Sequence, residues 1–440
     1  MSFPKVLIIG QPFNNFSGGG ITLTNLFKGW PGDKIAVAYT GHGLYNITTD
    51  ICKICYQLGE EEHKWITPFN LIQKKFPSGI KNTDIKSNFE ANHNQIGLRY
   101  VLVTRFFYPL LSWLGLSYSI SKISVSLKFK DWLSEFNPDI LYIQAPSRES
   151  VLFADELCDY LKIPSIIHVM DDWFSTIRNK GLFKNYWYKK INIEFKQLLN
   201  KADLHLSISD AMSEEYLKRY NTKFIAFHNP IEIDAWTPYI KTNFNIDKKH
   251  VAILYSGRLG GLGIENSLRE VASAVDLMDN KEINIKLHIQ TPVKKQSILD
   301  QLQKFKCVIF NPFVDYKQLP KTFSDADILL LANDFNARGL NYLKFSMPTK
   351  ASEYMISGTP VLVYASAETA VCRFFKDNEC GFCLTTQNTE EIVKSIRFMI
   401  DNEDYRKKIS QNAIKIAKEN FSSEIVRNKF QGLLKSLYKE

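Results

Sequence analysis

The sequence has few cysteines, no internal repeats and no apolar run long enough to cross a membrane. Its seven cysteines are an odd number spread over 440 residues, which favours reduced thiols over a disulfide framework. No basic segment precedes the short apolar run that begins at Val6, so a signal peptide is not predicted. The most apolar later stretch, 106–118, contains Pro109 and is shorter than a membrane span. We therefore expect a cytoplasmic protein.

Motifs for a metal are also weak. The pairs Cys52/Cys55 and Cys380/Cys383 both have C-x-x-C spacing, but they fall in different predicted domains, so chance spacing is the simpler interpretation. Asp325 and Asp327 have D-x-D spacing at a point where a helix ends and a buried strand begins. Capping of the helix explains them without a metal. No metal site and no bound cofactor is predicted.

Charge and composition narrow the function only slightly. A formal net charge of +9 is modest for this length and suits anionic small substrates or a membrane surface as well as nucleic acid. The length predicts two or three domains, and 45% hydrophobic residues are ample for large cores. Nucleic acid is not among the partners that we expect.

Strands and helices alternate along most of the chain. In the first half, buried strands are predicted at 5–10, 139–144, 165–170, 203–209 and 224–228, with helices between the later ones. A glycine-rich loop, 11–20, follows the first strand, and a helix is predicted from Ile21. The loop lacks G-x-G-x-x-G spacing, so it is a poor NAD fingerprint. The alternation restarts at Val251 and predicts parallel sheets in two Rossmann-like domains.

The most informative stretch is a β-α-β unit at 326–364. An apolar strand, a helix that starts near Thr349 and stops at Gly358, and a second apolar strand follow one another. The start of such a helix collects backbone N–H groups and partial positive charge, which suits a diphosphate. Lys350 adds a full charge there, and the Glu353 carboxylate could accept hydrogen bonds from a ribose. The geometry predicts a nucleotide site.

These residues also carry a resemblance. The sequence EYMISGTPV at 353–361 resembles the donor-binding segment of retaining GT-B glycosyltransferases of the family 4 type, which have a Glu-x7-Glu motif. Glu353 matches the second Glu, which holds the ribose, while the first Glu position is Phe345. The preceding SMPTK at 346–350 resembles a sub-branch with Ser-x-Pro-Thr-Lys in place of the acidic loop. The resemblance implies that Lys350 contacts the diphosphate.

Other donor-site residues follow from the same resemblance. Gly257 and Arg258 match the family's first C-terminal strand and loop, where an arginine holds the donor diphosphate. The loop with Phe313 and Val314 resembles the segment that holds the nucleobase. In the first half, the glycine-rich loop is implied to lie near the donor phosphates and the acceptor; its three glycines are Gly18, Gly19 and Gly20.

Candidate catalytic residues follow a strand of the first half. His168 precedes Asp171 and Asp172 at the end of the strand at 165–170. A single core histidine is normally structural, but here two acids and a tryptophan follow it. The resemblance implies that this loop faces the reacting sugar and the acceptor, so we assign all three residues to orienting them and none of them as a nucleophile.

The implied architecture is α/β and GT-B, with two Rossmann-like domains facing across a cleft. Residues 1–235 form the acceptor-side domain, 236–420 form the donor-binding domain, and a helix at 421–440 crosses back to the first domain. The implied reaction is transfer of a sugar from a nucleotide-sugar to an acceptor hydroxyl, with retention and without a metal. A glycan or lipid-linked saccharide is the implied acceptor, in polysaccharide biosynthesis.

Two other functions stay open. One is a different enzyme on the same fold, either a nucleotide-sugar epimerase or an inverting transferase, and the latter would use His168 or Asp172 as a general base. A degenerate GT-B domain could instead serve as a binding or scaffold subunit, which the missing first Glu favours. Product anomericity and turnover distinguish these alternatives.

Helices are predicted at 60–65 and 99–129, where aromatic and basic residues interleave. The stretches 106–113 and 183–190 have a composition that could contact an anionic membrane, which would place the protein peripherally at its inner face. Helices packed on the sheet with a solvated basic face explain the same pattern. The sequence leaves both interpretations open.

Overall fold

The computed structural model describes residues 3–14, 17–41, 50–81, 106–179, 181–259, 263–292 and 296–438. The chain divides into two compact units, one made of Met1–Phe227 with Arg427–Glu440 and the other of His228–Val426. Each unit is built on its own mainly parallel β-sheet with helices between the strands.

The described elements of the first unit are β1 (Val6–Ile9), α1 (Gly18–Phe27), β2 (Ile35–Thr40), β3 (Ile54–Leu58), β4 (His63–Trp65), β5 (Gly79–Lys81), α2 (Tyr108–Trp113), β6 (Ser121–Ile123), α3 (Leu127–Phe136), β7 (Ile140–Ile143), α4 (Arg148–Leu161), β8 (Ser165–Val169), α5 (Trp173–Thr176), α6 (Lys184–Lys201), β9 (Leu204–Ser207), α7 (Asp210–Tyr220) and β10 (Ile225–Ala226). Short 3-10 helices lie at Gly32–Lys34, Phe69–Leu71, Leu116–Tyr118 and Ile177–Asn179.

The first sheet has eight strands in the order β10-β9-β8-β7-β1-β2-β3-β5. All neighbouring pairs are parallel except β3 and β5. β1 lies between β7 and β2, with Val6 opposite both Ile140 and Ile35. Every residue of β1, β7 and β8 is buried, as expected for parallel strands covered on both faces. A separate antiparallel pair joins β4 and β6.

The second unit contains α8 (Ile233–Trp236), β11 (Val251–Ser256), α9 (Glu265–Met278), β12 (Ile285–Gln290), α10 (Gln296–Leu302), β13 (Val308–Asn311), α11 (Leu319–Asp325), β14 (Ile328–Ala332), α12 (Ala337–Leu343), α13 (Thr349–Ser357), β15 (Val361–Tyr364), α14 (Ala370–Asp377), β16 (Phe382–Leu384), α15 (Thr389–Asp401) and α16 (Glu403–Asn420). The helix α17 (Ser423–Leu437) begins here, and 3-10 helices lie at Thr237–Tyr239 and Tyr316–Gln318.

The second sheet has six parallel strands in the order β13-β12-β11-β14-β15-β16. From β11 the chain proceeds to β12 on one side, and later returns to β14 on the other. Loops that diverge in this way leave a crevice beyond the carboxyl ends of the two central strands, where ligands of such sheets bind. α13 begins beside that crevice, after β14.

The last helix belongs mostly to the first unit. From Arg427 onward α17 packs on α1: the Arg427 guanidinium donates to the Asn25 carbonyl at 3.1 Å, and the rings of Phe430 and Phe27 lie 5.2 Å apart. The expectation that the C-terminal helix returns to the first domain is confirmed. The prediction of α/β architecture with two Rossmann-like domains is confirmed as well.

Several local predictions are wrong. Gly18, Gly19 and Gly20 form the first turn of α1 rather than a loop, because the Ser17 side chain accepts the Gly20 amide and caps the helix there. The segment 60–65 contains a turn and β4 instead of a helix, since β4 finds a partner in β6. The described part of 99–129 contains only the short α2, a 3-10 turn, β6 and the start of α3; its residues 99–105 lie outside the described residues.

Cysteine and acidic clusters do not suggest a metal. All seven cysteines lie among the described residues, and each is a free thiol. Asp325 pairs with Lys321, and the Asp327 carboxylate accepts the Ala252 amide at 2.9 Å. Within the described ranges, no group of three or more potential metal ligands converges. A search of the described helices for one that is long and apolar enough to cross a bilayer finds none.

Candidate functional site

The start of α13 is the centre of the site in the second unit. Pro348 precedes the helix and no side chain caps it, so its first amides have no side-chain acceptor. Gly358 ends the helix with a positive φ of 73°, a conformation that glycine adopts without strain. Lys350 lies in the first turn and Glu353 one turn later. The sequence prediction of this helix and of its ends is confirmed.

Aromatic rings hold the Lys350 ammonium in place. Its Nζ lies 4.0 Å from the centroid of the Tyr255 ring and 5.9 Å from that of Tyr354, and it donates to the Ser256 carbonyl at 3.2 Å. Such cation–π contacts stabilise a charge that is partly removed from water. The same carbonyl fixes the Tyr354 hydroxyl, which also accepts the Ser256 amide at 2.9 Å. The side chain of Lys350 is thereby anchored to the end of β11.

Burial perturbs the pKa values of both charged residues of α13. Desolvation lowers the pKa of Lys350 to about 7, although the negative charge of Glu353 opposes the shift. Desolvation also raises the pKa of Glu353 to about 7, against the effects of a hydrogen bond from Tyr316 and of the Lys350 charge. Groups whose protonation changes near neutral pH are characteristic of functional sites.

Glu353 joins α13 to the segment that follows β13. Its side chain is 8% exposed, and its hydrogen bond with the Tyr316 hydroxyl reaches a residue of the 3-10 turn Tyr316–Gln318. A carboxylate with one bond to a phenol retains acceptor capacity for further donors, such as a pair of hydroxyl groups. The predicted nucleobase loop, with Phe313 and Val314, comes directly before this turn.

Arg258 lies in the loop after β11, beside Lys350. The Tyr255 hydroxyl donates to the Arg258 carbonyl at 2.9 Å, so one tyrosine contacts both the cation of α13 and the backbone of this loop. The guanidinium-bearing residue itself is exposed. A side chain added at Gly257 would place its Cβ 2.9 Å from Lys350 Nζ, which shows how closely the loop approaches the ammonium. The predicted residues Arg258, Lys350 and Glu353 are therefore gathered at one edge of the sheet.

Gln290, at the end of β12, connects the end of β11 to the loop after β13. Its side-chain oxygen accepts the Ser256 hydroxyl at 3.0 Å, and its amide donates to the Pro312 carbonyl at 3.1 Å. The ends of β11 and β12 and the loop after β13 are held together by these two bonds. Phe313, next to Pro312, is 57% exposed, and Val314 is half-buried. An exposed ring beside a polar, fixed backbone can stack on a planar base.

Asp334 fixes the loop on the other side of the crevice. It is buried; its carboxylate accepts the Ser267 amide at 2.8 Å and thus caps the start of α9, while its own amide donates to Gly263 at 2.6 Å. Gly263 and Gly339 face each other so closely that a Cβ on either one would approach the other's Cα to 2.9 Å. The loop after β14 is thus positioned by structural contacts, and Asp334 is part of them.

The first unit carries the remaining predicted residues. Gly18, Gly19 and Gly20 lie at the start of α1, which follows β1. A Cβ on Gly19 would lie 3.0 Å from Gln11 Oε1 and 3.4 Å from Gln144 Oε1, so the turn is packed against the ends of β1 and β7. The Trp173 indole donates to the Ala145 carbonyl at 2.9 Å, which brings the segment after β8 to the same edge.

His168 is in the sheet core. It is 1% exposed, and its Nδ1 is hydrogen-bonded to the Tyr142 hydroxyl. Desolvation lowers the pKa of His168 to about 3, although a backbone hydrogen bond with Ser207 opposes the shift. The imidazole is therefore neutral at physiological pH, and its surroundings are those of a packed, hydrogen-bonded core histidine.

The two aspartates after β8 differ sharply. Asp172 is fully buried; its carboxylate forms a two-pronged ion pair with Arg219, at 2.9 and 3.0 Å, and accepts the hydroxyls of Tyr216 and Ser175 at 3.0 and 2.5 Å. This arrangement joins β8 to α7 and saturates the carboxylate. Asp171 is exposed. Of the two, Asp171 has the freer access to a ligand.

The sequence analysis did not identify four residues of the donor-side site: Tyr255, Gln290, Tyr316 and Tyr354. They act through contacts with other side chains, and no sequence motif predicts such contacts. The one available signal is position, because Tyr255 and Gln290 stand at the ends of predicted strands, where ligands of parallel sheets bind. The sequence analysis did not predict the short helix α12 either.

Comparison with known proteins agrees with this picture. Residues 238–416 match the family model of glycosyl transferases group 1. This range includes β11–β16 and all the donor-side residues described above. A search of curated proteins finds no match.

Solved structures resemble nearly the whole chain. Sucrose-phosphate synthase from Thermosynechococcus elongatus is similar at a TM-score of 0.61 and 12% identity, with 99% of each chain covered. HepE from Anabaena, solved in complex with UDP and glucose, gives a TM-score of 0.61 and 13% identity over 98% of this chain and all of its own. WaaG, a glycosyltransferase involved in lipopolysaccharide biosynthesis, gives 0.55 and 14% identity over 97% of this chain and all of its own.

These likenesses establish the fold, and the family match concerns the unit that contains the candidate site. The predicted GT-B fold is confirmed. Residues 238–416 therefore form a glycosyl transferases group 1 domain within a chain that has the GT-B fold, and this supports the predicted assignment as a nucleotide-sugar-dependent glycosyltransferase.

Proposed function

We propose that the protein transfers a sugar from a nucleotide-sugar to an acceptor hydroxyl, with retention at the anomeric carbon and without a metal. The observation that carries this proposal is the placement of Lys350. Its ammonium lies at the uncapped start of α13, 3.2 Å from the Ser256 carbonyl, with Arg258 in the adjacent loop. Two cationic side chains and a helix N-terminus can stabilise the charge that develops on a departing diphosphate.

Glu353 would hold the ribose. Its carboxylate lies one turn after Lys350 and already accepts a hydrogen bond from Tyr316. Fixing the ribose and the diphosphate together would also fix the anomeric carbon, which is joined through an oxygen to the far phosphate. Phe313 and Val314 would contact the nucleobase. The complexes of HepE with UDP and with UDP-glucose support a uridine nucleotide as the first donor to test.

The acceptor would attack from the face that the diphosphate leaves, and a diphosphate oxygen would take the acceptor proton. Gly18, Gly19 and Gly20, which lack a Cβ, would permit a close approach to the donor phosphates. His168 and Asp172 would position the loop after β8, and Asp171 would contact the sugar or the acceptor. None of these residues is assigned as a nucleophile.

We further propose a glycan or lipid-linked saccharide as the acceptor, in cytoplasmic polysaccharide biosynthesis at the inner face of the membrane. The role of WaaG in lipopolysaccharide biosynthesis supports this class of acceptor. The exposed aromatic residues of the first unit support the location.

The first experiment is a screen of nucleotide-sugars for thermal stabilisation of the wild type and of Lys350→Ala. A ligand at about 100 times its Kd stabilises a fold by about 2.7 kcal/mol, which is readily measured. We expect one nucleobase class to stabilise the wild type and to lose most of that effect in Lys350→Ala. Equal stabilisation of both proteins would contradict the proposed site.

The second experiment determines the product. Turnover with the donor found in the screen, followed by NMR of the anomeric proton, should show the configuration of the donor retained. An inverted product would replace the proposal with an inverting mechanism. Binding without turnover on any saccharide acceptor would favour a scaffold subunit, and an isomerised nucleotide-sugar would indicate an epimerase.

A further inference from the structure

One surface of the first unit exposes several large apolar side chains. It is formed by the 3-10 turn Phe69–Leu71, by α2, and by the segment that leads into α6. We call it the aromatic patch and define it by six exposed residues: Leu71, Leu110, Trp113, Leu182, Phe183 and Tyr186. All six are more than half exposed, with Leu71 reaching 80%. Exposed apolar clusters of this kind usually mark an interaction surface.

Short contacts join the three segments into one surface. The Leu182 amide donates to the Trp113 carbonyl at 2.7 Å, which fastens the start of α6 to the end of α2. The Phe69 ring lies 5.7 Å from the Phe107 ring, which fastens the 3-10 turn to the start of α2. These contacts connect residues far apart in sequence, so the patch is a product of folding rather than of a single apolar run.

The sequence segments that contain the patch carry charge of one sign. Residues 63–81, 106–130 and 173–193 contain twelve Lys and Arg and no Asp or Glu. The rest of the chain carries 43 Lys and Arg against 46 Asp and Glu, so the positive net charge of the protein arises from these segments. Lys184 and Lys189 are exposed on α6, beside the patch.

Apolar side chains among lysines match the two parts of an anionic bilayer surface. Tryptophan, phenylalanine and leucine enter the region between headgroups and acyl chains, while lysines remain at the level of the lipid phosphates. Each basic residue near such a surface strengthens the attraction to anionic lipids. We propose that the aromatic patch docks the protein on a membrane that contains anionic phospholipids.

The proposed function places the protein at a membrane, and the aromatic patch supplies the binding surface and the class of lipid. Docking of the patch rests on the proposed function only for this membrane location. The patch lies in the first unit and none of its residues belongs to the donor-side site. Transfer to a water-soluble acceptor can therefore succeed when vesicle binding fails, and the reverse also holds.

The test is flotation of the full chain with vesicles of phosphatidylcholine alone, or of phosphatidylcholine with about 30% phosphatidylglycerol, at about 0.1 M salt and again at about 0.5 M. We expect binding to the anionic vesicles and much weaker binding to neutral ones. The binding should decrease at the higher salt concentration.

Two pairs of variants examine the two parts of the surface. Leu110→Ser with Leu182→Ser should lower vesicle affinity about tenfold, whereas Leu217→Ser with Leu277→Ser, which removes two leucines exposed elsewhere, should leave it unchanged. Lys184→Gln with Lys189→Gln should lower affinity about tenfold on anionic vesicles only. Lys304→Gln with Lys306→Gln is the matched control, because both lysines are exposed in the other unit.

Three kinds of result would overturn the proposal. One is a lack of specificity, seen either as equal binding to neutral and anionic vesicles or as equal losses in the patch and control variants. Another is binding of a single-stranded RNA oligonucleotide that competes with vesicles and depends on the lysines but not on the leucines, which would indicate a nucleic-acid surface. The third is a concentration-dependent dimer that the leucine pair abolishes, which would make the patch an interface between two copies of this chain.

Discussion

The Lys350 ammonium lies 4.0 Å from the centroid of the Tyr255 ring, and the hydroxyl of the same tyrosine donates to the Arg258 backbone. One side chain thus supports both cationic residues that we assign to the diphosphate. This contact connects the end of the central strand β11 to the start of α13, which lies beside the crevice of the second sheet. Because Tyr255 contacts Lys350 through its ring and the Arg258 backbone through its hydroxyl, substitutions can test the two contacts separately.

Removal of the Lys350 charge should weaken nucleotide binding strongly. A charge-assisted hydrogen bond to phosphate contributes about 1.5–3 kcal/mol, so Lys350→Ala should raise the Kd for UDP about 10- to 100-fold in calorimetry. Lys344→Ala is the matched control, because Lys344 is paired with Glu368 at a half-exposed position. A similar loss in both variants would show that Lys350 has no special role.

Nucleotide binding should exchange protons with the solvent, in opposite directions on the two sides of neutrality. The pKa of Lys350 is about 7, so the group is largely neutral at about pH 8, and a bound diphosphate should raise this pKa and take up a proton. The pKa of Glu353 is also about 7, so at about pH 6 the carboxyl is largely protonated, and ribose hydroxyls that donate to its ionised form should release a proton.

Calorimetry in buffers of different ionisation enthalpy measures this exchange directly. Lys350→Arg, which is charged at every relevant pH, should abolish the uptake at high pH. Glu353→Gln should abolish the release at low pH. Uptake that persists in Lys350→Arg would assign the titrating group elsewhere.

The Tyr255 hydroxyl should contribute less than the Tyr255 ring. Tyr255→Phe keeps the ring under Lys350 and removes only the bond to the Arg258 carbonyl, so kcat/KM should decrease about 3- to 10-fold, as for one neutral hydrogen bond. Tyr255→Leu removes the cation–π contact as well and should decrease kcat/KM by a further factor of about 5. The reverse order of the two variants would refute the proposed support of Lys350.

Asp171 and Asp172 should separate into a functional and a structural residue. Arg219→Ala would leave the buried Asp172 carboxylate without its ion pair and should cost about 3–5 kcal/mol in the free energy of unfolding, measured by denaturant titration. Asp171→Asn, at an exposed position, should change that free energy by less than about 0.5 kcal/mol and lower transferase activity. Unchanged activity in Asp171→Asn would remove this residue from the proposed site.

Phe313 should affect nucleobase affinity. Stacking on an aromatic side chain contributes about 1–3 kcal/mol per base, so Phe313→Ala should raise the Kd for UDP about 5- to 150-fold and leave the much weaker affinity for inorganic diphosphate unchanged. Phe398→Ala provides the control, since Phe398 is also exposed but lies on α15. A parallel loss of diphosphate binding would mean that Phe313 supports the loop and does not contact the base.

Periodicity predicted the β-α-β succession and the start and end of α13 correctly, because those features depend on local preferences. Apolar runs such as those of β14 and β15 can be buried only as parallel strands or as core helices, and their length favours strands. Gly358 ends α13 through its own backbone freedom. The same local rules were wrong at 60–65, where β4 forms because β6, more than fifty residues later, pairs with it.

Local sequence pattern is enough to place Lys350 and Glu353 on one helix face near a strand end. That Tyr255, Tyr316 and Tyr354 surround them depends on folding, because the contacts of Tyr255 and Tyr316 join residues 95 and 37 positions apart along the chain, while Tyr354 contacts Lys350 across one turn of α13. The protonation of the pair near neutral pH likewise depends on burial by the whole unit. Side-chain chemistry is local, whereas desolvation is a property of the complete fold.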